Sequence, residues 1–235
     1  REKSKIVPVG DDPIWSLPPD HPRVRYAMRI KSYPQEIQKR LVALGGGFAD
    51  AVLLIEDGAA AEAMGMLDPF VESDAVARFE RARAAMLCNV PEQAISDLMV
   101  FGDEVGHCEI DGMHTGATLA RLLQAAGRGS EAAQRVGGLL EGDDHPSLRL
   151  ASAEIMESRG DLPGAERTLK ALVKQFPGDI GLVRRLARVL LKEGDRVGAS
   201  GSLEAVLQRC CTPGQCGSKP LDLPAARMLA RIYLE

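Results

Sequence analysis

Of 235 residues, 29 are Lys or Arg and 33 are Asp or Glu, so the formal net charge is −4, with 45% hydrophobic but only 4% aromatic residues. The mild acidity argues against a dedicated nucleic-acid binder, and no apolar run approaches the roughly eighteen residues of a membrane span. Alanine and leucine supply most of the apolar content, which favours helices packed through small residues over a sandwich or barrel.

The chain opens on Arg1 rather than Met, as expected of a trimmed or mature chain. Residues 1–34 hold six of the fourteen prolines, the single Trp and two of the three Tyr, with seven basic against four acidic side chains. Pro18, Pro19, Pro22 and Pro34 predict a proline-rich extended arm over 1–34, in which the polar/apolar alternation of Arg23 to Ile30 suits a short strand. The arm is expected to lie along the rest of the molecule with Trp15 and Tyr26 buried, and residues 13–30 are long enough to occupy a groove there. A helix from Gln35 to about Leu44 then leads to Gly45-Gly46-Gly47.

From that point the sequence repeats. Arg159 to Ala165 and Glu193 to Ala199 share a turn followed by alanine, and Gly160 stands 34 residues before Gly194. Pairs of alanines recur twelve positions apart: Ala51 with Ala63, Ala82 with Ala94, Ala120 with Ala132, Ala153 with Ala165, and Ala187 with Ala199. Ala230 is a sixth first member. Four residues after each second alanine stands an apolar residue, Leu67, Leu98, Val136, Leu169 or Leu203, which is helical spacing on one face. Two helices of a pair can approach closely only where each contributes a small residue, and a glycine such as Gly58, Gly127, Gly160 or Gly194 can end the first and reverse the chain. Insertions fall near residues 104–112 and 210–219.

This pattern of a small residue in a first helix, a turn, and an alanine opening a second helix resembles the tetratricopeptide repeat (TPR) family. Leu150 to Pro177 carries it most fully, through Ala153, Gly160, Ala165, Leu169 and the closing Pro177. The early-helix tryptophan of the family is absent, and most units lack the closing proline. The resemblance implies an all-α, right-handed superhelical solenoid over 35–235, of about five helix pairs and the first helix of a sixth. It also implies a non-catalytic role in protein–protein interaction, as a scaffold or assembly factor. The stop at Glu235, with no second helix to cover the sixth first helix, leads us to expect that the natural protein continues. The alternative role is the recognition or regulatory region of a larger enzyme or signalling protein.

No Gly-x-Ser-x-Gly, Walker loop, His-Glu-x-x-His or haem-attachment motif occurs, so neither catalysis nor a cofactor is expected. His107, Cys108, Glu109, Asp111 and His114 bring five potential metal ligands into eight residues, and the plainer expectation is a polar connecting loop with His114 entering a helix. Pro213-Gly214 predicts a turn that could return Cys216 to Cys210 or Cys211. A disulfide there would favour an extracytoplasmic location, and free thiols would not.

In a solenoid of this type the first helices line the concave groove. Taking the positions three before and one after each marker alanine, the groove is expected to present Phe48, Val52, Phe79 and Arg83 at its N-terminal end, with Met86 alongside. Arg121 follows, and then Arg184, Arg188, Arg227 and Arg231 make the C-terminal end basic. The arginines suit an acidic peptide or a C-terminal carboxylate. The family's carboxylate clamp for chaperone tails uses lysine and asparagine where this chain has Phe48, Val52, Phe79 and Arg83, so that ligand is not implied.

Overall fold

The computed structural model describes residues 17–210 and 222–234. Its elements in chain order are α1 (Pro22–Ile30), α2 (Gln35–Ala43), α3 (Gly46–Glu56), α4 (Ala60–Ser73), α5 (Ala77–Leu87), α6 (Pro91–Glu104), β1 (Glu109–Ile110), β2 (Met113–His114), α7 (Thr115–Ala125), α8 (Gly129–Leu140), α9 (Pro146–Ser158), α10 (Leu162–Gln175), α11 (Ile180–Glu193), α12 (Arg196–Cys210) and α13 (Leu223–Leu234). Among the described residues the fold is all-α, as the repeat pattern requires, with one two-stranded antiparallel hairpin at the first insertion. No described helix is long and apolar enough to cross a membrane.

The chain divides into two compact units, Arg1–Arg135 and Val136–Glu235. In the first, α3 packs on α4, α4 on α5, α5 on α6 and α6 on α7. The marker alanines form the seams: Ala51, Ala63, Ala82, Ala94, Ala120 and Ala132 are all 0–1% exposed. Asp97, also fully buried, ties α6 to α5 by accepting from Arg81 Nε (2.8 Å) and Nη2 (2.7 Å) and from Arg78 Nη1 (3.1 Å). In the second unit Ala153, Ala165, Ala187 and Ala199 share one core with Leu169, Leu186, Leu190 and Leu203. Ala230, with no second helix described beside it, is exposed.

The turns show why Gly-Asp recurs. Gly160 and Gly194 take left-handed φ values of 83° and 86°, and Asp161 and Asp195 then cap the next helix by accepting from the N–H groups of Gly164 (3.0 Å) and Gly198 (2.8 Å). Where the second repeat lacks this glycine, Asn89 adopts the left-handed conformation at φ 56°.

One element departs from expectation. Residues 22–30 form the helix α1, neither extended chain nor strand. Pro22 occupies the first turn, where its fixed φ suits a helix and its missing N–H costs nothing, and His21 Nδ1 accepts from the Arg23 N–H at 3.2 Å. Pro34 likewise stands immediately before α2. The alternation in 23–30 is overridden by helical spacing, since the buried residues are Tyr26, Ala27 and Ile30. Tyr26 is buried as expected. Trp15 lies outside the described residues.

Candidate functional site

Within the first unit, the first-helix positions expected to meet a ligand are covered by the chain itself. Phe48, Val52 and Phe79 are at most 1% exposed, which corrects their expected place on an open groove surface: in this structure the chain itself covers them. The cause is aromatic packing against the N-terminal segment. Tyr26 of α1 meets Phe48 edge-on with ring centroids 6.4 Å apart, and Tyr33, just past α1, meets Phe79 at 5.7 Å. Behind them stand Phe70 and Phe101 of the second helices, 5.6 and 5.8 Å from Phe48 and Phe79.

Beside these aromatics lies an ionic cluster. Glu80 of α5 is 1% exposed and accepts from Arg29 Nε and Nη2, each at 3.1 Å, from the Tyr33 hydroxyl, and from Arg83. Arg29 also donates to Asp111 of the hairpin turn (2.7 Å), and Arg83 donates to Glu56 of α3 (2.7 Å). At the exposed edge Arg25 pairs with Asp57 at 2.5 Å. Burial and the neighbouring Glu80 charge hold the Tyr33 phenol well above its ordinary value, so it stays a donor. Burial is the largest single influence and opposes the charges of Arg29 and Arg83, but Glu80 together with Tyr33 and, for Arg83, Glu56 outweighs it, and both are held above the ordinary guanidinium value. Arg83 is therefore engaged in this cluster, and Met86 is half-buried at the end of α5. An open cleft of about 300 Å³ flanks α1, lined by Arg25, Met28, Arg29, Ser32, Leu53, Glu56 and Asp111.

The polar loop expected at 107–114 is a hairpin whose side chains have structural partners. His107 lies over Gly102 and its Nδ1 is 3.1 Å from Thr115 Oγ1, while His114 caps α7 by accepting from the Ala117 N–H at 3.3 Å. Burial pushes His107 down to about 4 and the Cys108 thiol up to about 11, so at neutral pH both are uncharged. Among the described residues no group of three or more His, Cys, Asp and Glu is placed to hold a metal ion. Cys88 and Cys108 are free thiols. The pairing expected among Cys210, Cys211 and Cys216 lies outside the described side chains.

In the second unit the expected basic residues remain at the surface. Arg188 of α11 and Arg227 of α13 are exposed and have no ion-pair partner among the described residues. Arg184 is partly buried, 3.9 Å from Asp222, and its neighbour Arg185 pairs with Glu154 of α9. Arg231 is exposed and lines an open cleft of about 390 Å³ with Leu191, Gly194, Arg196, Met228 and Ile232. Arg196 donates to the Ile232 carbonyl at 3.0 Å and so fixes α12 to α13. Arg121, in α7 of the first unit, is partly buried.

The Arg29–Glu80–Tyr33 cluster escaped sequence reasoning because its members are 51 and 47 positions apart. The available signal was the helical spacing of Tyr26, Ile30 and Tyr33, which competes with the alternation in the same segment.

Residues 146–189, spanning α9, α10 and most of α11, match the family model described as Tetratricopeptide repeat. A search of curated proteins finds no match. Among solved structures, the chain is similar to a tetratricopeptide repeat protein from Parabacteroides merdae (18% identity, TM-score 0.61, covering 90% of this chain and 77% of that one). It is similar also to MamA (13%, TM-score 0.60, 69% and 90%). A third is YrrB, described as a TPR protein with an unusual peptide-binding site (14%, TM-score 0.57, 79% and 89%). At these identities the likeness concerns the fold. Residues 146–189 thus match a tetratricopeptide repeat, and the described helices have a TPR-like helical-repeat fold.

Proposed function

We propose that this protein is a non-catalytic protein-binding platform whose ligand docks on the first-helix face of the second unit and carries an acidic segment. The observation that carries this reading is the exposure of Arg188, Arg227 and Arg231 on α11 and α13, two of them without an ion-pair partner among the described residues. The exposed guanidiniums of Arg188 and Arg227 keep their forks of donors for a carboxylate, and exposed charges of one sign also steer an oppositely charged chain towards them. The half-apolar cleft beside Arg231 offers burial for a flanking apolar side chain. Sharing a fold with a protein described as peptide-binding is consistent with this role.

The test is fluorescence anisotropy with labelled peptides of matched length, one rich in Asp and Glu with a free C-terminus and one neutral. The acidic peptide should bind more tightly, with an affinity that falls as salt rises. The triple replacement Arg188→Glu, Arg227→Glu and Arg231→Glu should weaken it at least tenfold while circular dichroism is unchanged. Equal binding by the folded triple variant would sink the assignment of this face.

A further inference from the structure

The N-terminal helix sits on the first unit in the manner of a bound peptide. Tyr26 and Tyr33 are seven residues apart, and they meet Phe48 and Phe79, which occupy equivalent positions in successive repeats. Tyr26 lies in α1 and Tyr33 three residues beyond its end, so the helix and the turn that follows it carry one ring to each of two successive repeats. Between the two tyrosines Arg29 reaches Glu80 on α5 and Asp111 beyond α6, and Arg25 reaches Asp57 after α3. Helix α1 contains three arginines and no carboxylate, while the groups that receive Arg25 and Arg29 are carboxylates from three separate places in the chain.

We propose that the first-helix face of α3 and α5 is a receptor for a basic amphipathic helix and the turn that ends it, with the pattern aromatic-x-x-Arg-x-x-x-aromatic, and that α1 with its following turn is the displaceable occupant in cis. The external partner is a protein helix of that chemistry, with its arginine seated on Glu80 and its two aromatic rings on Phe48 and Phe79. Three features make α1 displaceable. At nine residues it is too short to persist alone, so its helicity depends on being seated. It is held at its exposed edge by the Arg25–Asp57 pair, which water and salt weaken. And it leaves the 300 Å³ cleft beside Arg25 and Arg29 unfilled, with Met28 56% exposed along it. This surface is distinct from the arginine face of the second unit, so either reading can fail without the other.

Two measurements on the full chain test the proposal together. In native-state hydrogen exchange, the amides of α1 should exchange at least tenfold faster than those of α3 and α5, because undocking α1 leaves the repeats folded. In anisotropy titrations, a labelled peptide of residues 21–34 should bind the Arg25→Glu chain at least tenfold more tightly than the wild-type chain, since that change loosens the occupant without touching Glu80. The same peptide carrying Arg29→Ala should lose at least tenfold, a comparison made with the receptor unaltered. Exchange of α1 in step with α3 and α5 would show an integral structural helix and overturn the proposal. So would the absence of peptide binding to a folded Arg25→Glu chain, or equal binding of the two peptides.

Discussion

The Arg29 guanidinium and the Glu80 carboxylate, 51 positions apart in sequence, are joined by two hydrogen bonds of 3.1 Å with the arginine side chain 7% exposed and the glutamate 1%. Taking one member from such a buried pair is far costlier than the pair's own net worth, because the charge left behind has lost its water as well as its partner.

Glu80→Ala strands Arg29 and Arg83 together with the Tyr33 hydroxyl, and is expected to lower unfolding free energy by about 3–5 kcal/mol. Tyr33→Phe removes a single donor while preserving the ring contact with Phe79, and is expected to cost about 1 kcal/mol. Urea unfolding followed by far-ultraviolet circular dichroism orders the two, and similar midpoints would mean that Glu80 is not the hub of the cluster.

His107 has an ordinary value of 6.5 and is pushed down to about 4 in the folded protein, first by burial and then by the charges of His114 and Arg135. The unfolded chain therefore takes up this proton at a higher pH than the folded one. The contribution of the neutral ring is complete above about pH 6.5, declines as the pH falls, and levels off below about pH 4. Allowing for screening at this partly exposed site, the loss is about 2 kcal/mol. His107→Gln should flatten the difference in melting temperature between pH 7 and pH 4.5.

Gly102 makes room for that ring. A Cβ at this helical position would collide with the imidazole, which Thr115 Oγ1 holds in place, so Gly102→Ala is expected to destabilise despite its helix-propensity gain of about 1 kcal/mol. In a His107→Ala background the obstacle is gone, and the same substitution should become neutral or stabilising. A double-mutant cycle in urea reads this coupling directly.

Ala187 is fully buried in the seam of the second unit, whereas Ala230, its counterpart in α13, is exposed. Ala187→Leu should cost about 1–3 kcal/mol through overpacking. Ala230→Leu should stay within about 0.5 kcal/mol of wild type. Comparable losses at both positions would contradict the seam.

The alanine pairs and the Gly-Asp turns were legible in the sequence because they act locally: each sits in a helix or turn whose partner lies within a few tens of residues, and the repeat displays the rule several times. Residues 22–30 were misread because proline count and alternation both favour extended chain, while the deciding contacts, Tyr26 with Phe48 and Tyr33 with Phe79, come from elsewhere in the chain. The same contacts turned Phe48, Val52 and Phe79 from expected ligand positions into core. Periodicity located their helical face correctly and could not say what would cover it. Arg188 and Arg227, with nothing described over them, keep the exposure that their register implied.

The distance in sequence from Arg29 to Asp111, 82 positions, also sets an order of events during synthesis. Among the described helices α1 is translated first, and the two carboxylates that receive Arg29, Glu80 and Asp111, follow 51 and 82 positions later, whereas α3 to α6 pack on neighbours made within the preceding few tens of residues. Local pairs close quickly and distant ones wait for chain length and loop closure. Although Phe48 and Asp57 can receive α1 early, the seat of Arg29 is thus complete only once Asp111 has emerged, when α3 to α6 are already able to pack.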